Sequence, residues 1–182
     1  MVRTSGWVVM AAMVLGAFAP GPAWSRQGAA GQDPALGAIQ QAGGRVERDD
    51  SGPEKPVVAV SFAVTQAGDA VLEPLKGLPK LRKLTLNNTK ITDAGLDQVK
   101  ALAGLQKLYL VDTAITDAGL EKLKGMAELR VLSLVGTPIT DAGLEHLKAL
   151  PNLQEAFLAG TKVTEDGVKK LKEALPKVRF DR

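Results

Sequence analysis

Apolar positions recur with a 24-residue period over most of the chain, beginning with Leu81, Leu105, Leu129 and Leu153. A fixed period of this length is typical of repeat architectures. The columns that follow are Leu84, Leu108, Leu132 and Ala156; Leu86, Leu110, Leu134 and Leu158; Thr89, Thr113, Thr137 and Thr161; and Ile91, Ile115, Ile139 and Val163. Val57, Val60, Phe62, Thr65, Asp69, Ala70 and Leu72 form a degenerate earlier copy, which brings the total to about five units.

Each unit predicts one strand followed by one helix. The LxxLxL part alternates apolar and polar residues, as a strand with one buried face does. The TDAGLxxL part changes to helical spacing, as Leu96, Val99 and Leu102 illustrate. Because no unit can bury its leucines alone, the units are expected to stack into a solenoid with a parallel sheet.

The start of each predicted helix has a fixed chemistry. Threonine precedes the helix, and its hydroxyl is expected to accept a backbone N–H as an N-cap. An acidic residue follows and favours the positive end of the helix dipole. Glycine then lies in the first turn, where close packing between units is the expected reason. The three columns are Thr92, Thr116, Thr140 and Thr164; Asp93, Asp117, Asp141 and Glu165; and Gly95, Gly119, Gly143 and Gly167.

The motif LxxLxLxxTx[IV]TDAGLxxL resembles the leucine-rich repeat over residues 57–180. It is most similar to the subclass found in F-box substrate receptors, in which cysteine often replaces the threonine after the strand, and it also resembles exported bacterial leucine-rich-repeat proteins. The resemblance implies an α/β solenoid, a short horseshoe with parallel strands on the concave face and helices on the convex face. No F-box precedes the repeats, and an exported protein would not meet a ubiquitin ligase, so that role is not expected.

Residues 1–25 have the three-part pattern of a signal peptide. Arg3 precedes an uncharged apolar run at 7–18, and a Pro-Gly-Pro break follows. Cleavage is predicted after Ala23 or Ser25, which would make the protein secreted or periplasmic, with no stable membrane insertion. The alternative is an uncleaved anchor, although the run is short for a span of about 20 residues.

Two segments flank the repeats. Residues 26–33 are polar and glycine-rich, which predicts a flexible linker. Residues 34–56 predict a capping segment, with a helix over 34–42 and a charged strand over 45–48; a separate ligand-binding element is the alternative. The repeat domain is predicted over 57–182, and its last strand begins one more unit. There Phe180 is expected to pack against Ala156, the alanine in a leucine column.

Composition limits the chemistry. The chain has no cysteine, one histidine and a net charge of +3. Disulfides, thiolate metal sites and cysteine nucleophiles are therefore excluded. No base lies beside a credible nucleophile and no phosphate-binding glycine loop is present, so neither catalysis nor a cofactor is expected. The small net charge argues against nucleic acid as a partner. His146 falls on the solvated helix face.

The strand side chains that point away from the helices are the first candidate site, and we call them the concave face. They combine two aromatic and three aliphatic side chains with charged neighbours, which favours a binding surface; scattered exposure of apolar residues is the alternative. Its members are Lys83, Thr85, Asn87, Lys107, Tyr109, Val111, Val131, Ser133, Val135, Glu155, Phe157 and Ala159. Five strands would make a sheet about 25 Å wide, which favours a short ligand or micromolar affinity.

Two further columns of charged residues are candidate sites. The lysine column is Lys76, Lys100, Lys124, Lys148 and Lys172. It would suit a polyanion, but four of the lysines lie three residues after Glu73, Asp97, Glu121 and Glu145, which predicts i,i+3 ion pairs instead. The acidic column would suit a calcium ladder, but too few oxygens surround each carboxylate. Neither a metal nor a cofactor is therefore predicted.

These observations together predict an exported, non-catalytic module that binds a protein or peptide through the concave face. Two alternatives stay open: a structural component of the cell envelope that assembles through the solenoid ends, and a glycan-binding protein. The ligand and the oligomeric state are not specified by the sequence.

Overall fold

A computed structural model describes residues 34–182, so the predicted signal peptide and linker lie outside the described residues. The strands form one sheet of seven strands in chain order. They are β1 (Arg45–Arg48), β2 (Val57–Ser61), β3 (Lys83–Thr85), β4 (Lys107–Tyr109), β5 (Val131–Ser133), β6 (Glu155–Phe157) and β7 (Arg179–Asp181). The helices are α1 (Pro34–Gln41), a 3-10 helix (Asp69–Gly77), α2 (Asp93–Lys100), α3 (Asp117–Lys122), α4 (Asp141–Leu147) and α5 (Glu165–Ala174).

The 24-residue period sets the register of the sheet. Strands β2 to β7 are parallel, and each repeat position pairs with its equivalent in the next unit. Leu84, Leu108 and Leu132 are consecutive partners, all fully buried. Ala156 and Phe180 continue the same row, and Phe180 packs against the core as the sequence predicted.

The core is a single aliphatic layer between sheet and helices. Leu96 and Val99 lie on the buried side of α2 and contribute to it. Leu102 is also buried, but it comes after the helix has ended at Lys100. The helical spacing therefore identified the right core residues while extending the helix too far.

The threonine at each helix start serves the preceding unit as well as its own. All four threonines occupy the N-cap position with extended backbone. Only the hydroxyls of Thr140 and Thr164 accept a bond from their own helix. The prediction that every hydroxyl acts as an accepting cap is therefore wrong for Thr92 and Thr116. Instead, each of the four hydroxyls donates at 2.6 Å to the aspartate of the unit before it.

The same aspartates fix the spacing between units, and we call this arrangement the Thr–Asp ladder. Asp93 accepts from the Thr116 N–H at 2.8 Å and from the Thr116 hydroxyl. Asp69, Asp117 and Asp141 make the equivalent pairs of bonds to Thr92, Thr140 and Thr164. A carboxylate has two oxygens and can accept both donors at once. The acidic column therefore joins neighbouring units, beyond its expected effect on the helix dipole.

The glycine column completes the ladder. A Cβ at Gly119 would meet the Asp93 carboxylate, and one at Gly143 would meet that of Asp117. Gly167 and Asp141 repeat the arrangement. Because the carboxylate of one unit lies against the helix start of the next, only glycine fits without a shift, as the predicted close packing between units requires.

The two ends of the sheet differ in strand direction, since the first pair is antiparallel and the last pair is parallel. Strand β1 pairs antiparallel with β2, and α1 packs beside the 3-10 helix of the degenerate first unit. Pro74 lies inside that helix, and a proline cannot donate the backbone bond that an α-helix requires. Among residues 34–182, no helix is long and apolar enough to cross a membrane.

Candidate binding face

The concave face consists of three rows that run across the strands. Residues paired directly across a sheet point to the same side, so the register assigns each row. The first row is Glu47, Ala59, Lys83, Lys107, Val131, Glu155 and Arg179. The second row is Arg45, Ser61, Thr85, Tyr109, Ser133, Phe157 and Asp181. By the 24-residue period, the third row is Ala63, Asn87, Val111, Val135 and Ala159.

Sequence reasoning missed the outermost members of this face. Arg45 and Glu47 come from β1, and Arg179 and Asp181 come from β7. These residues belong to the concave face because both terminal strands extend the sheet, which has seven strands rather than five. Six spacings of about 4.8 Å make the sheet about 29 Å wide. The available signal was the apolar Val46 between the charged Arg45 and Glu47, since this alternation places the two charged residues on the same side of one strand.

The apolar part of the face is centred on Ser133. Tyr109 and Phe157 are its neighbours in the second row, and both are half-buried. Ser133 lies on the concave side with them, but it is only 4% exposed, because the two rings, which start from Cα atoms about 10 Å apart, cover it. The accessible surface here therefore belongs to the rings and not to the serine. We call the two rings and the covered serine the Ser133 slot.

Val131 and Val135 lie two residues before and two residues after Ser133, and both are half-buried. They extend the apolar surface along the chain in both directions. Val111 is half-buried in the third row. The apolar side chains named from the sequence are therefore contiguous on adjacent strands, which is the arrangement expected of a binding anchor site.

Asn87 has a structural task. Its side-chain oxygen accepts a bond from the Val111 backbone N–H at 3.1 Å. The amide thereby joins one unit to the next at the end of the strands, and its oxygen is not free for a ligand. Thr85, beside it in the second row, is half-buried.

The charged residues of the first row are unpaired with one another. Lys83 and Lys107 are direct neighbours on β3 and β4. Arg179 and Glu155 are neighbours at the other end of the row. In the described part of the chain, no ion pair involves Lys83, Lys107 or Glu155.

The lysine column is largely neutralised, as predicted. Lys76, Lys124 and Lys148 pair with the acid three residues earlier. The bond from Lys124 lowers the pKa of Glu121 below its usual range, with smaller contributions from the charges of Lys124 and His146. The predicted Lys100–Asp97 pair is wrong, because Asp97 pairs instead with Lys122 of the next unit at 2.5 Å.

Three members of the acidic column, together with Asp69 of the first unit, already have hydrogen-bond donors, whereas Glu165 faces Arg182. Both oxygens of Asp69, Asp93, Asp117 and Asp141 accept bonds from threonine. Over residues 34–182, no three His, Cys, Asp or Glu side chains lie together in a way that suits a metal ion.

A groove of about 860 Å³ lies against α5, away from the concave face. Its lining alternates acidic and basic side chains around one valine: Glu165, Val168, Lys169, Lys172, Glu173 and Arg182. Arg182 approaches Glu165 at 3.8 Å across it. The sequence pattern does not indicate this groove, because Arg182 comes from beyond the helix that provides all the other lining residues.

The solved structures that resemble the chain include the following two. One is a leucine-rich-repeat protein of Leptospira interrogans, with 24% identity over 60% of this chain and 27% of that one, and a TM-score of 0.46. The other is PEPR1 in its complex with AtPEP1, with 17% identity over 75% of this chain and 19% of that one, and a TM-score of 0.45. The chain thus spans less than a third of each matched protein. Among curated proteins, no match was found.

Residues 79–139 match the family profile described as leucine rich repeat. This segment contains β3 to β5 with the helices between them, and it carries the repeat columns described above. The repeated motif, the parallel sheet with one helix per unit and this match agree, and they identify the chain as a leucine-rich-repeat protein.

Proposed function

We propose that this protein is an exported, non-catalytic binding module that recognises a protein or peptide through the concave face. The observation that carries the proposal is the Ser133 slot with the aliphatic side chains around it. Tyr109 and Phe157 stay half-exposed beside it, although the core behind them is fully packed. Aromatic side chains at the centre of a surface are favoured as binding anchors.

The size of the face limits the ligand. Each of β3 to β6 presents two or three side chains outward, and standard protein interfaces bury about 800 Å² on each partner. A short peptide segment, or a repeated ligand held through several weak contacts, suits this surface better than a large globular partner. Affinity in the micromolar range is expected for a single site.

The test is capture of partners from envelope and culture-medium fractions of the host. The wild-type protein is compared with a Tyr109→Ala/Phe157→Ala variant, which removes both walls of the slot. A matched control, Lys100→Ala/Lys170→Ala, changes two exposed helix residues that form no ion pair with a described residue. Circular dichroism establishes that all three proteins are folded.

A partner retained by the wild type and the control but lost by the slot variant supports recognition through the concave face. If the slot variant retains the same partner, or the wild type captures none, this function is wrong. Attention then moves to assembly through the solenoid ends, or to envelope glycans as ligands.

Export is the second part of the proposal, and it is supported by the signal-peptide pattern of residues 1–25. The mature protein is expected to begin at Trp24 or Arg26. N-terminal sequencing of the protein recovered from medium and envelope fractions tests this. Recovery of a chain beginning at Met1 or Val2 from the cytoplasm would contradict export.

A further inference from the structure

Two lysines at the centre of the concave face have no counter-charge. Lys83 and Lys107 are directly paired on adjacent parallel strands, so their Cα atoms are about 4.8 Å apart. Like charges placed opposite each other across a sheet are unfavourable. The neighbours on either side are Ala59 and Val131, which offer no carboxylate.

The nearest acids of the same row are one strand further away. Glu47 lies beyond Ala59, and Glu155 lies beyond Val131. Each is about two strand spacings, or about 10 Å, from the nearer lysine. Four lysines of the helix face, Lys76, Lys122, Lys124 and Lys148, each touch a carboxylate. Lys83 and Lys107 differ from these four, because the residues directly paired with them on the neighbouring strands include no acid.

The lysine pair lies next to the Ser133 slot. From the midpoint of Lys83 and Lys107, the slot is one and a half strand spacings across the sheet and two residues along it. That separation is about 10 Å, and the length of a lysine side chain shortens it further. An extended peptide advances about 3.3 Å per residue. One segment can therefore reach both features with residues two or three positions apart.

We propose that the partner of the concave face is an extended, acidic peptide segment of a protein. An Asp or Glu side chain binds between Lys83 and Lys107, and an aromatic or aliphatic side chain two or three residues away packs against the exposed parts of Tyr109 and Phe157 in the Ser133 slot. This inference rests on the proposed function and specifies its ligand. It assigns the lysine pair to recognition rather than to stability.

The other charges on the face favour an isolated carboxylate over a polyanion. Glu47 and Glu155 flank the lysine pair in the first row, each about two strand spacings away. A polymer with a negative charge on every unit would pass close to these acids and be repelled. A single carboxylate placed over the two lysines avoids them.

The probe is a library of random 12-residue peptides displayed on phage. It is selected on the purified protein, in the form in which the host produces it, and in parallel on Lys83→Glu/Lys107→Glu and Tyr109→Ala/Phe157→Ala. The wild type is expected to select peptides with an acid two or three residues from a large apolar residue. The charge-reversed variant is expected to lose these peptides and to select basic ones. The slot variant is expected to lose the peptides that the wild type selects, with both their acid and their large apolar residue.

The failures of the two proposals are distinguishable. If the wild type selects apolar peptides without acids, and the slot variant loses them, the concave face binds but the acidic partner is wrong. If the wild type and the slot variant select the same peptides, or neither selects any, the proposed function fails and this inference fails with it. Dextran sulfate competing as strongly as a selected peptide would overturn the inference in favour of a general polyanion site.

A neutral variant separates recognition from folding. Lys83→Gln/Lys107→Gln removes the charge pair while keeping side chains of similar length. It is expected to weaken a selected acidic peptide by about tenfold at low salt, the size expected for losing a charge-assisted bond. The deficit should shrink at high salt. The midpoint of thermal unfolding without peptide should be unchanged or higher, because a repulsive pair has been removed; a clear fall would assign the lysines to stability instead and overturn the inference.

Discussion

Contacts between a few side-chain and backbone atoms determine the distance between neighbouring repeats. At each helix start the Asp of one unit accepts two hydrogen bonds from the Thr of the next, and the glycine three residues after that Thr leaves room for the carboxylate. A glycine in a helix ordinarily costs about 1 kcal/mol relative to alanine. Its presence here is explained by the neighbouring unit and not by its own helix.

Gly167→Ala is therefore expected to lower the free energy of unfolding by about 1–3 kcal/mol, the cost of overpacking. The three heavy atoms nearest to a Cβ at Gly167 would all belong to the Asp141 carboxylate. In an Asp141→Ala background, the same substitution should be neutral or stabilising. Gly37→Ala is the matched control, because Gly37 lies in α1 with nothing near its missing Cβ. There alanine should stabilise by about 0.4–1 kcal/mol.

Urea unfolding of the five proteins measures these changes. Destabilisation by Gly167→Ala that persists unchanged in the Asp141→Ala background would contradict the ladder as its cause. A double-mutant cycle is suited to this question, since the two residues are in direct contact.

The ladder also predicts a dependence on pH. The Thr164 hydroxyl, and then the Thr164 N–H, hold the pKa of Asp141 below its usual range. A carboxylate with a lowered pKa stabilises the fold above its ordinary pKa, and the contribution disappears as pH falls through the folded-state value. The stability difference between wild type and Asp141→Asn should be constant above about pH 5 and shrink below about pH 4. Urea titrations at several pH values measure it; a difference that grows in acid would be inconsistent with the bonds described.

At the scale of elements, the repeat made most of the fold predictable. Because Leu84, Leu108 and Leu132 are separated by a constant step, the strands had to pair in register once they were parallel. The helix and strand before the repeats were also predictable, from Gly43-Gly44 and from the charges that follow. These predictions depend on short-range pattern, which the sequence displays directly.

Contacts between equivalent positions of neighbouring units were less predictable. The Asp97–Lys122 pair and the Thr–Asp ladder both join residues of different units. The spacing of residues along the sequence indicates partners within one helix. It does not give the distance between side chains of neighbouring units. The burial of Ser133 has the same origin, because the rings that cover it belong to β4 and β6.

The last strand provides a test at this scale. Phe180 is half-buried and pairs with Ala156, where the repeat has leucine in the earlier units. Phe180→Ala is expected to destabilise by about 2 kcal/mol, less than for a fully buried phenylalanine. Ala156→Leu should cost about 1–3 kcal/mol in the wild type through overpacking, yet restore part of the loss in Phe180→Ala.

Arg179→Ala is the control, since it changes the same strand on the exposed side. Denaturant unfolding of the single and double variants gives the coupling between the two positions. If Ala156→Leu is equally costly with and without Phe180, the two side chains do not share the space that the register assigns to them.

At the scale of the molecule, the core is continuous but contacts are local. Each strand pairs with the strands of the adjacent units, and each helix packs beside its neighbours in the same order. In such arrays stability is approximately a sum of unit and nearest-neighbour terms. The position of a substitution in the array should therefore determine how many units it destabilises.

Leu108→Ala and Phe180→Ala are expected to differ in this way. Leu108 is fully buried in the central layer, and its loss costs about 2–5 kcal/mol, a large part of the 5–15 kcal/mol typical of whole domains. Phe180 contributes only to the last layer. Amide hydrogen exchange should therefore accelerate on both sides of β4 in Leu108→Ala, but only in β6, α5 and β7 in Phe180→Ala. Equal acceleration in β2 and β3 for both variants would mean that the solenoid unfolds as one cooperative unit, without the end fraying that nearest-neighbour contacts predict.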